Sequence, residues 1–108
     1  MFNVKINLGI DEKIEIIRPA NHFVGIEGVG GKIIITDQRF EFKSHTVNIQ
    51  VHEMSFQYSE ILKIEYYNSL GIIHNGLKLT LTSGKVEKFV VRKRSMIKQA
   101  ILNNKKNL

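Results

Sequence analysis

Apolar and polar residues alternate along most of the chain. Phe2, Val4, Ile6 and Leu8 are separated by Asn3, Lys5 and Asn7. That period of two predicts a strand over residues 2–8 with one face buried. Gly9 ends it, and Asp11, Glu12 and Lys13 make a charged break. Ile14, Ile16 and Ile17 then lead to Arg18 and Pro19. β-branched residues favour a second strand, and the proline predicts its end. Residues 20–31, ANHFVGIEGVGG, hold four glycines and no clear period, so they read as a loop with at most a short strand.

The clearest signal follows. Residues 32–36 and 40–44 form two greasy runs joined by a polar bend, with Phe40 and Phe42 on one face and Glu41 and Lys43 on the other. Asp37 can bond its own backbone at such a bend, so a hairpin is predicted. Val47, Ile49 and Val51 alternate with Asn48, Gln50 and His52, and Met54, Phe56 and Tyr58 repeat the pattern. A tight turn is expected over residues 59–62, then a strand over 64–67. Residues 68–76, NSLGIIHNG, end in Asn-Gly and read as a loop closing on a turn pair. Leu77, Leu79 and Leu81 form the next alternating run, Ser83-Gly84 its turn, and residues 86–91 the return strand.

Only the end changes period. Ile97, Ala100 and Ile101 recur at helical spacing, with Asn104 on the same line. A helix over about 95–104 follows, with Ser95 as its cap and Lys105 and Lys106 at the end that prefers cations. The apolar stripe predicts that Ile97, Ala100 and Ile101 plug a core of strands. The fold class is thus mainly β, about seven bent antiparallel strands closed by one C-terminal helix, in a single domain over residues 1–108.

Composition removes several chemistries. No cysteine is present, so disulfides, thiolate nucleophiles and Cys-based zinc sites are excluded. The N-terminus lacks the continuous apolar stretch of a secretory signal, and no run approaches the ~20 apolar residues that span a bilayer. A cytoplasmic protein, able to sit at a membrane surface, is expected. The formal net charge of +6 favours anionic contacts.

Motifs of catalysis fail on inspection. GIEGVGGK (25–32) lacks the glycine at 26 and the hydroxyl residue at 33 of a phosphate loop; both are isoleucine. HEMSF (52–56) ends in Phe where a zinc-protease helix needs His. YNSLG (67–71) has Tyr where a nucleophile elbow needs glycine. His45 and His52 could approach across a hairpin, but no third metal ligand is evident. No cofactor, metal or catalytic residue is implied, and a non-enzymatic protein is expected.

One dense basic cluster remains, VRKRSMIK (91–98), at the junction of the last strand and the helix. Arg92, Lys93, Arg94 and Lys98 are its candidate contacts for phosphates or lipid headgroups. Phe23, Val24 and Ile26 are the apolar candidates, in the segment read as a loop. The aromatic residues occupy the apolar alternation rather than interleaving with cations, which argues against nucleic acid.

The run GGKIIITDQRFEFKSH (30–45) resembles a GRAM domain, in which a glycine-containing loop leads to a strand, a T-N/D-x-R turn and a second apolar strand. FQYSEILKIE (56–65) is similar to that family's next strand and corner, NGLKLTLTSGKVEKFVV (75–91) to its last hairpin, and SMIKQAIL (95–102) to its closing helix. The resemblance covers roughly residues 12–102. It implies the pleckstrin-homology fold, a seven-stranded bent sandwich or partial barrel capped by the helix, in what looks like a stand-alone bacterial version. Ile33, Ile35, Phe40 and Phe42 would then be core. Asp37 and Arg39 would shape the turn, with Arg39 bonding backbone carbonyls. The family's association with membranes implies docking to an anionic membrane surface or a protein. Its inositide-binding relatives carry cations between the first two strands, whereas residues 20–31 carry none. The competing expectation is a protein adaptor or homo-oligomer formed through an exposed edge at residues 48–52.

Overall fold

A computed structural model describes residues 8–45 and 52–108. Seven strands form one antiparallel sheet: β1 (Ile14–Val24), β2 (Glu27–Thr36), β3 (Arg39–Ser44), β4 (Glu53–Gln57), β5 (Ile61–Ser69), β6 (Ile73–Leu81) and β7 (Val86–Val91). A 3-10 turn, Tyr58–Glu60, joins β4 to β5, and α1 (Arg94–Lys106) ends the chain. The strand order is β4-β3-β2-β1-β7-β6-β5. The expected strands over 2–8 and 47–51 lie outside the described residues, apart from Leu8, which is exposed and not in a strand.

The sheet curls around the residues that the alternation placed inside. Ile33 lies opposite Phe42, Ile35 opposite Phe40, Phe40 opposite Phe56, and Leu77 opposite Phe89. Ile33, Ile35, Phe40, Phe42, Ile61, Leu77, Leu79, Phe89, Ile97 and Ile101 are fully buried. Each such side chain contributes roughly 1.5–3 kcal/mol on leaving water. Ile97 and Ile101 enter from the helix and Ala100 packs at the margin, so α1 closes the curl as its stripe predicted.

Residues 20–31 are a correction. They are not a loop: β1 runs through to Val24, and β2 starts at Glu27. Only Gly25, at a φ of 62°, and Ile26 turn the chain. Pro19 does not end β1. It pairs with Lys32 on the β2 side, while β7 joins only from Ala20 onward, so no ladder donor is missed. The expected Asn-Gly turn is also corrected, because Asn75 and Gly76 lie within β6. The chain turns at Leu70 and Gly71, with φ of 53° and 75°, the pair of positive values that a primed hairpin turn needs. Gly76 is required by the Tyr67 ring, which would sit 2.6 Å from an added Cβ.

The helix begins one residue earlier than expected, and Ser95 is not its cap. Lys93 takes that position in a left-handed conformation, φ 56° and ψ 48°, with no side-chain cap bond. Arg94 instead anchors the start, donating Nη1–H to the carbonyls of Tyr67 and Gly76 at 2.8 and 3.1 Å. Lys105 anchors the end on the carbonyls of Tyr58 and Ile61.

The TDQR bend (36–39) is a clamp. Thr36 Oγ1 accepts the backbone N–H groups of Gln38 and Arg39 and donates to Glu12 at 2.6 Å. Asp37 Oδ1 accepts the Lys13 N–H, and Gln38 donates to the Ile10 carbonyl. The buried Tyr58 hydroxyl lies against the carbonyls of Thr36 and Arg39, and burial pushes its ionisation up, so it stays a donor. Among the described residues, the Arg39 guanidinium pairs with Glu12 at 2.9 Å and with Glu41 at 3.2 Å, two carboxylates buried beside it.

Candidate functional site

Alternation along β7 puts Phe89 and Val91 in the core and Lys88, Val90 and Arg92 on the opposite side. Two adjoining clefts open there, and both are lined by Val90. The first, about 390 Å³, lies between two hairpin tips: Phe23 and Gly25 from the β1–β2 tip, Tyr67 and Leu70 from the β5–β6 tip, with Lys88 beside them. The second, about 320 Å³, has the backbone of Gly30 and Gly31 in its wall, with Asn21, His45, Asn75 and Arg92 around it.

The linings carry a consistent chemistry. Neither cleft includes an acidic residue, while Lys88 belongs to one and Arg92 to the other. Lys88 Nζ sits 5.6 Å from the Tyr67 ring centroid, and burial raises the Tyr67 hydroxyl above its usual range. That hydroxyl donates to the Phe89 carbonyl at 3.2 Å, which holds the ring as a fixed wall. Beyond the first cleft the tips are apolar and exposed: Val24 at 54%, Ile26 at 101%, Leu70 at 87% and Ile72 at 76% of full accessibility. Glu27, at the start of β2, is the acidic neighbour of the first tip.

The seven residues singled out from the sequence divide between places. Phe23 lines the first cleft, with Val24 and Ile26 at its rim, and Arg92 lines the second. Lys93 is exposed at the strand–helix junction. Arg94 and Lys98 are elsewhere: both lie over the Tyr66 ring, at 4.2 and 4.8 Å, and Arg94 is committed to two backbone carbonyls. The basic cluster is thus not one patch. Lys88, Tyr67 and Leu70 escaped sequence reading because strand pairing across β1, β7 and β6, not chain proximity, brings them to Phe23.

The histidine pairing also differs from expectation. His52 meets His22, not His45. Among the described residues, no three His, Cys, Asp or Glu side chains converge to hold a metal ion. None of the described helices is long and apolar enough to cross a membrane.

No protein-family model matches this chain, and no curated protein does. Solved structures do. The C-terminal domain of an unknown protein from Leishmania infantum superposes with a TM-score of 0.75 at 18% identity, over 88% of this chain and 85% of that one. The linker-DH/PH domains of p115-RhoGEF superpose with a TM-score of 0.65 at 10% identity, over 91% of this chain and 30% of that one. At these identities the likeness concerns the fold, and the fold is pleckstrin-homology-like.

Proposed function

We propose that this chain is a non-catalytic binding module of the GRAM kind that docks on an anionic membrane surface through the outer face of β1 and β7. One observation carries the reading: two exposed apolar hairpin tips flank a cleft whose lining holds Lys88 and no acid, and the adjoining cleft adds Arg92. Lys88, Arg92 and Lys93 supply about 1 kcal/mol each near an anionic bilayer. Ile26 and Leu70 each add roughly 1.5–3 kcal/mol if fully buried among acyl chains. Together these give reversible binding, with charge bringing the tips to the surface and apolar burial holding them there.

The edge expected for pairing, residues 48–52, lies outside the described residues except for His52. On β5, a described edge strand with Leu62 exposed, Arg94 and Lys105 occupy the carbonyls of Tyr67 and Ile61. Sedimentation with vesicles separates the readings. The full chain is expected to sediment with phosphatidylcholine–phosphatidylserine vesicles at low salt, to be released as salt rises, and to ignore pure phosphatidylcholine. A combined Ile26→Asp, Leu70→Asp variant should lose at least about tenfold in binding, the equivalent of 1.4 kcal/mol. No sedimentation at low salt would overturn membrane docking and favour a protein partner.

A further inference from the structure

Toward the C-terminal end of β1, the core contains a titratable side chain that the docking surface does not use. His22 is 2% exposed, and both its ring nitrogens are engaged. Nε2 lies 2.9 Å from Glu87 Oε1 on β7, and Nδ1 lies 2.8 Å from Nε2 of His52, the residue just ahead of β4. The two imidazoles are nearly parallel, 20° apart, with centroids 4.9 Å from each other. Phe89 and Phe42 pack near His22 at 4.9 and 5.6 Å. Ser44 Oγ, from β3, accepts the His52 backbone N–H at 3.0 Å. Among the described residues, Glu87 and His52 are thus the titratable groups facing His22, and β3 contributes Phe42 and a hydroxyl.

Donor counting fixes the proton positions. A carboxylate only accepts, so Nε2 of His22 carries hydrogen and Nδ1 accepts. His52 Nε2 must then donate, leaving its Nδ1 bare. One added proton can sit on that bare nitrogen, or on His22 with the shared hydrogen reassigned, and every bond survives. Glu87 balances this single positive charge. A second proton is different. It makes both nitrogens across the 2.8 Å gap donors, removes their bond, and puts two cations in contact with one carboxylate.

We propose that Glu87, His22 and His52 form an acid-sensitive latch that holds one extra proton and opens on the second. It ties three separate segments, β1, β7 and the entry to β4, so its opening loosens the β1–β7 pairing. Phe23 and Lys88, the next residues along, are register partners and line the first cleft. Deformation of that cleft is the one consequence that rests on the docking reading. The latch itself is tested without vesicles, so the two can fail separately.

The test is a titration of the full chain labelled with ¹⁵N in histidine, through the imidazole range of about 7 down to about 5. At neutral pH, His22 and His52 should both carry hydrogen on Nε2. They should titrate as a coupled pair, and amide exchange at residues 22–23 and 87–88 should accelerate only in the second step. In His52→Gln the side-chain amide keeps the donor to Nδ1 but takes no proton, so the second step and the accelerated exchange should vanish. A bare Nε2 on His22, independent titration of the two rings, or unchanged acid opening in His52→Gln would each overturn the latch. The ring spectra of the unsubstituted chain decide the matter even if the variant does not fold.

Discussion

A Cβ added at Gly31 would meet the Lys43 carbonyl oxygen and lie 2.7 Å from both Phe42 Cζ and Ser44 Cα. Backbone cannot step aside as a flexible side chain can, so Gly31→Ala should destabilise the protein by roughly 1–3 kcal/mol. Its neighbour Gly30 faces the cleft, and its Cβ would meet only Asn21 Oδ1, at an ordinary 3.4 Å. Gly30→Ala should stay within about 0.5 kcal/mol of the parent. Urea unfolding of the two variants checks this, and equal effects would contradict the assignment of faces. Both glycines are legible in the sequence, but which one is indispensable depends on where β3 lies.

Glu12 is the other residue whose role depends on its surroundings. Burial raises its carboxyl, but the Gly9 N–H, the Thr36 hydroxyl and the Arg39 guanidinium outweigh burial and hold it below its ordinary value of 4.5. A carboxyl depressed on folding stabilises above its unfolded range and loses that contribution as pH falls through the folded value. Glu12→Gln should therefore lower stability at neutral pH by about 1–3 kcal/mol and flatten its decline below pH 4.5. Thermal melts across acid pH measure both effects. The sequence marked the TDQR bend as structural. It did not reveal Glu12, 24 residues from Thr36, because no local pattern encodes that partnership.

At the scale of elements, strict alternation told the truth about β3, β4, β7 and residues 77–81 of β6, and helical spacing about α1. Reading failed where strands carry glycine. The β1–β2 hairpin looked like a loop because Gly28, Gly30 and Gly31 erase the apolar period that defines a strand. Their backbones still form the ladder, pairing with Phe23, Asn21 and Ala20. The helix start failed for another reason: Ser95 has the right chemistry for a cap, but Arg94 reaches two carbonyls on β5 and β6 from the position before it. Asn104 shows the helix closing on the strands, since its Nδ2 donates to Glu15 Oε1 at 2.9 Å and to the Thr36 carbonyl at 3.3 Å. Asn104→Ala should cost about 0.5–1.5 kcal/mol by removing these bonds, the Thr36 carbonyl keeping the Tyr58 hydroxyl, whereas Asn103→Ala, on the exposed side, should be near neutral. Chemical denaturation of the pair distinguishes a closing contact from general helix propensity.

At the scale of the whole molecule, the curl of the sheet decides what meets what. It takes Arg94 and Lys98 from the basic cluster to Tyr66, leaves Arg92 at one cleft, and brings Lys88 to Phe23 beneath two apolar tips. A net charge of +6 favours anionic contacts, and the proposed place for one follows from the fold rather than from the charge. Hydrogen exchange on anionic vesicles tests this placement most directly. Bound protein should gain protection at residues 23–27, 69–73 and 88–92, with residues 94–98 unchanged. Protection centred on the helix start, or none on vesicles that do bind the chain, would contradict docking through the outer face.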